Sequence, residues 1–213
     1  MPGRREFKPR RRRGAWRDAS LIIIAAEGTK TEYQYFSTLA RELVRSDISV
    51  HVIPRDAGAS SPRHVIRALN KFKKEFDLGT GDELWMVIDR DKWEEGNLAE
   101  VAAECVQKGY KLCVSNPAFE LWLLLHIKDI DGYSAEEIKE LERNDHVTPN
   151  RTRLDQELLC LLGSYNKNNL NMEHFFPGIS HAVDRARALD ANPTDRWPRS
   201  LGTRVYLLVE KIC

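Results

Sequence analysis

The chain has 213 residues, 42% of them apolar and 31% charged, and its 33 basic and 32 acidic side chains leave a net charge of +1. That size supports one sizeable buried core, no apolar stretch approaches the roughly 20 residues of a membrane span, and the amino terminus lacks the apolar segment of a secretory signal. Four cysteines, Cys105, Cys113, Cys160 and Cys213, show no Cys-x-x-Cys spacing, which argues against a zinc knuckle or a disulfide framework and makes a reducing cytoplasm the expected compartment.

The net charge conceals an uneven distribution. Residues 1–17 carry eight basic side chains against Glu6, a net +7 that leaves −6 on the other 196 residues. With Pro2, Gly3, Pro9 and Gly14 and few apolar residues, this segment reads as a basic arm that cannot pack a core. Its run Arg10, Arg11, Arg12 and Arg13 is the expected nucleic-acid contact, binding phosphates without reading sequence. A solvated tail, or a contact with an acidic partner surface, is the alternative.

Beyond the arm, strand and helix patterns alternate. Ser20–Ala26 reads as a strand, and Thr31–Arg45 as a helix with Tyr33, Phe36, Leu39, Ala40 and Leu43 on its buried face. Ile48–Ile53 is a second strand, and a loop over residues 56–61 leads to Pro62, which suits the first turn of a helix running to about Phe76. Glu83–Ile88 is the third strand, a helix spans about Leu98–Gln107, and Lys111–Val114 is the fourth strand. Phe119–Ile127 returns to helix, with Pro117 expected in its first turn. Four strand-then-helix repeats predict an α/β fold with a parallel sheet over residues 18–130. After about Asp131 the strands are expected to stop, and residues 131–213 read as a helical annex with helices at Ala135–Arg143, Arg151–Leu162, Ile179–Leu189 and Thr203–Ile212.

Two of these strands end in acid. The run Leu84–Ile88 stops at Asp89-Arg90-Asp91, and Leu21–Ala26 runs into Glu27-Gly28-Thr29-Lys30-Thr31-Glu32. In an open parallel sheet, ligand chemistry gathers at the carboxyl ends of the strands, so Glu27, Asp89 and Asp91 are expected at one rim. Carboxylates crowded together raise one another's pKa unless a cation intervenes. An oxygen-only set suits Mg²⁺, with Mn²⁺ as an alternative, held by one or two carboxylates, waters and substrate phosphates. A single strand-end carboxylate can equally be a turn former or helix cap. Glu32 and Glu120 are further candidate ligands, although a helix amino terminus is itself a sufficient reason for Glu120. His126 reads as a satisfied core histidine, and Trp16 and Trp197 as packing or partner anchors.

These motifs carry a resemblance. Glu27-Gly28-x-Lys30-Thr31-Glu32, Asp89-x-Asp91 and Asn116-Pro117-x-Phe119-Glu120-Leu121-Trp122-Leu123-Leu124-Leu125-His126 resemble the RloB-like proteins, a prokaryotic family linked to restriction and abortive-infection loci and similar to the wider Toprim group. Tyr165-x-Lys167 and the terminal Leu207-Leu208-Val209-Glu210 fit the same resemblance, which runs from about residue 20 to the end. It implies a Toprim-like four-stranded, mainly parallel sheet flanked by helices. It also implies that Glu27, Asp89 and Asp91 hold Mg²⁺ for phosphodiester chemistry, that an ABC-like or AAA-type ATPase from a neighbouring gene is a partner, and that the nuclease is restrained until phage infection is sensed. The chain has no Gly-x-x-x-x-Gly-Lys-Ser/Thr motif of its own.

The expected activity is metal-dependent hydrolysis of DNA or RNA in antiviral defence. Glu27 is ligand or general base, Asp89 and Asp91 are ligands, and Lys30 and Lys167 are candidates for neutralising phosphate charge. For Lys167 a plain surface role is the rival reading. A nucleotide-sugar transferase could use Asp89-Arg90-Asp91 similarly but gives Glu27 and Glu32 no task. A noncatalytic binding module of a defence complex is the other alternative, and it predicts that Asp89 and Asp91 are dispensable.

Overall fold

The computed structural model describes residues 19–28, 30–54, 61–90 and 93–213; Asp91 and the arginines at 10–13 lie outside them. Strands β1 (Ser20–Ala26), β2 (Ile48–Val52), β3 (Glu83–Asp89) and β4 (Lys111–Asn116) run parallel in the order β2-β1-β3-β4. Successive side chains alternate between faces, and helices cover both faces, which is why β1 and β3 read as nearly unbroken apolar runs. Ile22, Ile24, Trp85 and Val87 enter one apolar layer, whereas Ile23, Ala25, Met86 and Ile88 enter the other.

The second layer is closed by α2 (Pro62–Glu75) and α3 (Glu95–Lys108), through Val65, Leu69, Phe72, Leu98 and Val101. Trp197 is buried there as well, as expected of a packing anchor. The first layer is closed by α1 (Thr31–Glu42) and α4 (Phe119–Ile127), and it continues into α6 (Arg153–Leu162), α7 (Ile179–Leu189) and α8 (Val205–Ile212). Helix α4 is buried from Phe119 to His126, as a helix that is apolar all round must be. Each large side chain removed from water there contributes about 1.5–3 kcal/mol, so α4 fastens the annex to the sheet.

Several sequence expectations are corrected. A fifth strand, β7 (Gly202–Thr203), comes from the annex and pairs antiparallel with β4, joined by a 2.8 Å hydrogen bond between the Ser115 and Thr203 hydroxyls. Its two residues are too few to show a period-2 pattern. The annex also holds a short antiparallel pair, β5 (His146–Thr148) and β6 (Arg151–Thr152), so strands do not stop at Asp131. The buried face of α1 is Thr31, Glu32, Tyr35, Phe36 and Leu39; Tyr33 and Leu43 are exposed, because Tyr35 turns inward to pack edge-on against Phe119 and Trp122 of α4. Pro117 precedes α4 instead of opening it, since Ala118 is still extended at φ −147° and ψ 166°. The remaining annex helix, α5 (Ala135–Arg143), lies where the periodicity placed it, its amino end closed by a Ser134–Glu137 capping box.

Candidate active site

At the end of β1 the backbone N–H of Glu27 still donates to Val87 O at 2.9 Å, so Glu27 leaves the sheet alongside β3. Its buried carboxylate accepts from Trp93 Nε1, 3.1 Å from each oxygen. Asp89 is the last residue of β3 and is also buried, in register with Ser115 of β4. The next residue fixes the exit of the chain: Arg90 N donates to Ser115 O at 2.9 Å and to Pro117 O at 3.1 Å. Glu27 and Asp89 therefore occupy adjacent strand ends at the carboxyl rim.

Glu32, in the first turn of α1, folds back over this rim. Its Oε1 accepts from Gly28 N at 2.8 Å, and a β-carbon at position 28 would lie 1.7 Å from Oε2, so only glycine permits the approach. The carboxyl group of Glu32 is pushed up to about 7, by burial first and then by the charge of Glu120, with Glu27 adding to the repulsion; the Gly28 and Glu32 N–H groups oppose the shift.

Glu120 lies in the first turn of α4, where the annex reaches it. Lys167 Nζ is 3.0 Å from Glu120 Oε1 and 2.9 Å from Asp155 Oδ1, and both carboxylate side chains are more than nine-tenths buried. Asp155 divides its oxygens between two tasks. Oδ2 closes the capping box of α6 by accepting from Thr152 N at 3.0 Å, and Oδ1 faces Lys167. Burial works against the charge of Lys167, yet the two carboxylates prevail and hold its ammonium above the usual lysine range. Burial, followed by the charges of Glu120, Asp155 and Glu32, raises the neighbouring Tyr165 hydroxyl well above the usual tyrosine range. Gln34 of α1 clamps this loop, donating to Lys167 O at 3.2 Å and accepting from Leu170 N at 3.0 Å.

The structure thus brings Glu27, Asp89, Glu32, Glu120 and Lys167 to one end of the fold, and places Lys30 exposed at the N-cap of α1. Lys167 is held by two buried carboxylates, which displaces the surface reading. His126 is a core residue: Nε2 meets the Tyr35 hydroxyl at 3.0 Å, Nδ1 meets Trp122 O at 2.8 Å, and burial lowers the ring to about 4. Two contributors escaped the sequence reading. Trp93 carried the signal of an indole four residues beyond Asp89, and Asp155 was concealed by its suitability as a cap residue. Among the described residues no three carboxylate, imidazole or thiol groups converge to hold a metal ion. The donor chemistry at the rim is nevertheless oxygen alone, and one or two carboxylates with waters and substrate oxygens are the usual complement of Mg²⁺.

The family model for RloB-like proteins matches residues 22–212. The chain belongs to the RloB-like family. The match takes in β1 from Ile22, the other four sheet strands and nearly all of the annex of this RloB-like protein, including every rim residue named above. No curated protein and no solved structure matches the chain. No described helix of the RloB-like chain is long and apolar enough to cross a membrane.

Proposed function

We propose that this RloB-like protein is a Toprim-like, Mg²⁺-dependent nuclease that hydrolyses phosphodiester bonds as a cytoplasmic effector of antiviral defence. The observation that carries this reading is the placement of the Glu27 and Asp89 carboxylates at adjacent carboxyl ends of parallel strands, with the buried Glu32 near enough to Glu27 and Glu120 to feel their charge and its carboxyl pushed up to about 7. That is a locally over-acidic rim, the electrostatic condition a divalent ion relieves. Glu27, Asp89 and Asp91 are the proposed ligands, with Glu32 and Glu120 behind them. A bound Mg²⁺ would supply Lewis-acid polarisation of the phosphate and a more acidic water.

The chain's own groups then have separate tasks. The Trp93 N–H orients the Glu27 carboxylate, which would serve as a ligand if it touches the ion or as general base if it touches the ion's water. The exposed Lys30 meets a phosphate oxygen, and the arginines at 10–13 hold more distant phosphates. Lys167 acts through Glu120 and Asp155, holding them in position. The proposed partner is an ATPase that restrains the activity.

Calorimetric titration of Mg²⁺ and Mn²⁺ tests the site. The native chain should bind, and Asp89→Asn and Glu27→Gln, folded as judged by circular dichroism, should bind at least tenfold more weakly. Equal binding by all three would overturn the assignment.

A further inference from the structure

A second feature opens at the same rim, on the opposite face of the sheet from Glu32. Between β1, the end of β2 and helix α2 lies a groove of about 510 Å³, a volume in the range that holds small organic ligands. Ala25 and Ala26 form part of its floor, immediately before Glu27, and Ile53 continues the floor at the end of β2.

Its walls are aromatic and basic. The Phe72 and Phe76 rings stack with centroids 4.5 Å apart and 24° between planes, His51 lies 5.1 Å from Phe72, and Phe76 is 47% exposed. Phe76 thus lies on the core residue Phe72 and leaves about half of its own surface open to the solvent. Along α2, His64, Arg67 and Lys71 follow at three- and four-residue spacing, on one face of the helix, and all three line the groove with Glu75 as the acid among them. Arg63 is diverted to Glu100 at 2.6 Å, whereas Arg67 and Lys71 are exposed and line the same groove as the aromatic pair.

We propose that this groove docks a single-stranded stretch of nucleic acid, with bases stacking on Phe76 beside Phe72 and phosphates meeting Arg67 and Lys71. The proposal rests on the nuclease reading for its placement next to Glu27 and supplies the substrate class that reading lacks. Aromatic faces can take only bases that are unstacked from their neighbours, which a duplex does not offer. The positive stripe beside the rings is complementary to the backbone of such a strand. A strand docked on Phe76, at the carboxyl end of α2, would run along the floor past Ala25 and Ala26 towards Glu27, so the bond to be cut would lie several nucleotides from the stacked base.

The test is fluorescence anisotropy with the full chain in EDTA, using labelled single-stranded DNA and RNA and the duplex of the same sequence. EDTA separates binding from catalysis. Phe76→Ala should weaken single-strand binding by about 5- to 150-fold, the effect of one lost base–aromatic stack, and leave duplex binding unchanged. Arg67→Gln with Lys71→Gln should weaken it and flatten the salt dependence by about 0.7 in log–log slope for each phosphate released. Lys139→Gln, a charge loss on α5, should have no effect. Circular dichroism melts show that each variant is folded. Unchanged single-strand affinity in Phe76→Ala, equal weakening of duplex binding, or a change in oligomeric state in place of nucleic-acid binding would each overturn the proposal. Single-strand binding that depends on Phe76, in a protein that cleaves nothing, would refute the nuclease reading and leave the groove assignment standing. Cleavage that survives Phe76→Ala with affinity intact would do the reverse.

Discussion

Replacing Glu32 with glutamine should stabilise the protein, and only above about pH 5. The folded chain holds the Glu32 proton up to about pH 7, whereas an unfolded chain releases it near 4.5. Between those values the native state carries more protons than the unfolded state, so stability falls as pH rises. Each pH unit of that interval costs about 1.4 kcal/mol, so ionising Glu32 costs the native protein about 2–4 kcal/mol by pH 8. Glutamine keeps an oxygen for the Gly28 N–H and has no charge to bury, so Glu32→Gln escapes the loss. The assay is urea unfolding of both proteins from pH 4.5 to 8 without divalent ions. The curves should meet near pH 4.5 and separate above it, with the variant melting higher at pH 8 by about 2–4 °C per kcal/mol for a chain of this size. Parallel curves with a constant offset, or a less stable variant at pH 8, would refute the idea that Glu32 is held protonated by its burial, with its acidic neighbours adding to the effect.

Lys167→Met leaves Glu120 and Asp155 buried without their cation; with the lysine itself partly exposed, the cost should be about 2–3 kcal/mol in chemical denaturation at pH 7.5. Adding Glu120→Gln and Asp155→Asn to that variant should recover much of the loss. Gly28→Ala forces its methyl group into the Glu32 carboxylate, and should destabilise by about 1–3 kcal/mol, visible in a thermal melt. Trp93→Phe removes the N–H donor from Glu27 while keeping an aromatic ring; it should reduce the rate of cleavage at saturating metal more than it lowers the melting temperature.

The central strands and their acidic ends were legible because a strand buried on both faces writes itself as an apolar run, and Glu27 and Asp89 interrupt two such runs abruptly. The annex was less legible. Strand β7 has two residues, and its placement depends on the Ser115–Thr203 contact across 88 positions, which no local pattern announces. In helix α1 the apolar pattern alone does not decide between Tyr33 and Tyr35; Tyr35 is the one buried, packed against Phe36 and against Phe119 and Trp122 of α4, which leaves Tyr33 and Leu43 exposed. Lys167 looked like any lysine in a polar loop until the fold brought Asp155 and Glu120 to it from two different helices. Local pattern locates a carboxylate at a strand end, and only the assembled fold shows which charges compensate one another.

The central claim is that the carboxylate rim cuts phosphodiester bonds with the help of a divalent ion, and cleavage by purified protein tests it most directly. Transfer RNA, single-stranded DNA and duplex DNA are incubated with the native chain and with folded Asp89→Asn, Asp91→Asn protein, each with Mg²⁺ or EDTA and with or without an ATPase of the proposed partner class. The account predicts Mg²⁺-dependent cleavage of a single-stranded substrate or substrate region by the native chain, alone or with the ATPase, and none by the variant. Equal phage protection by both proteins, with no cleavage under any condition, would contradict it.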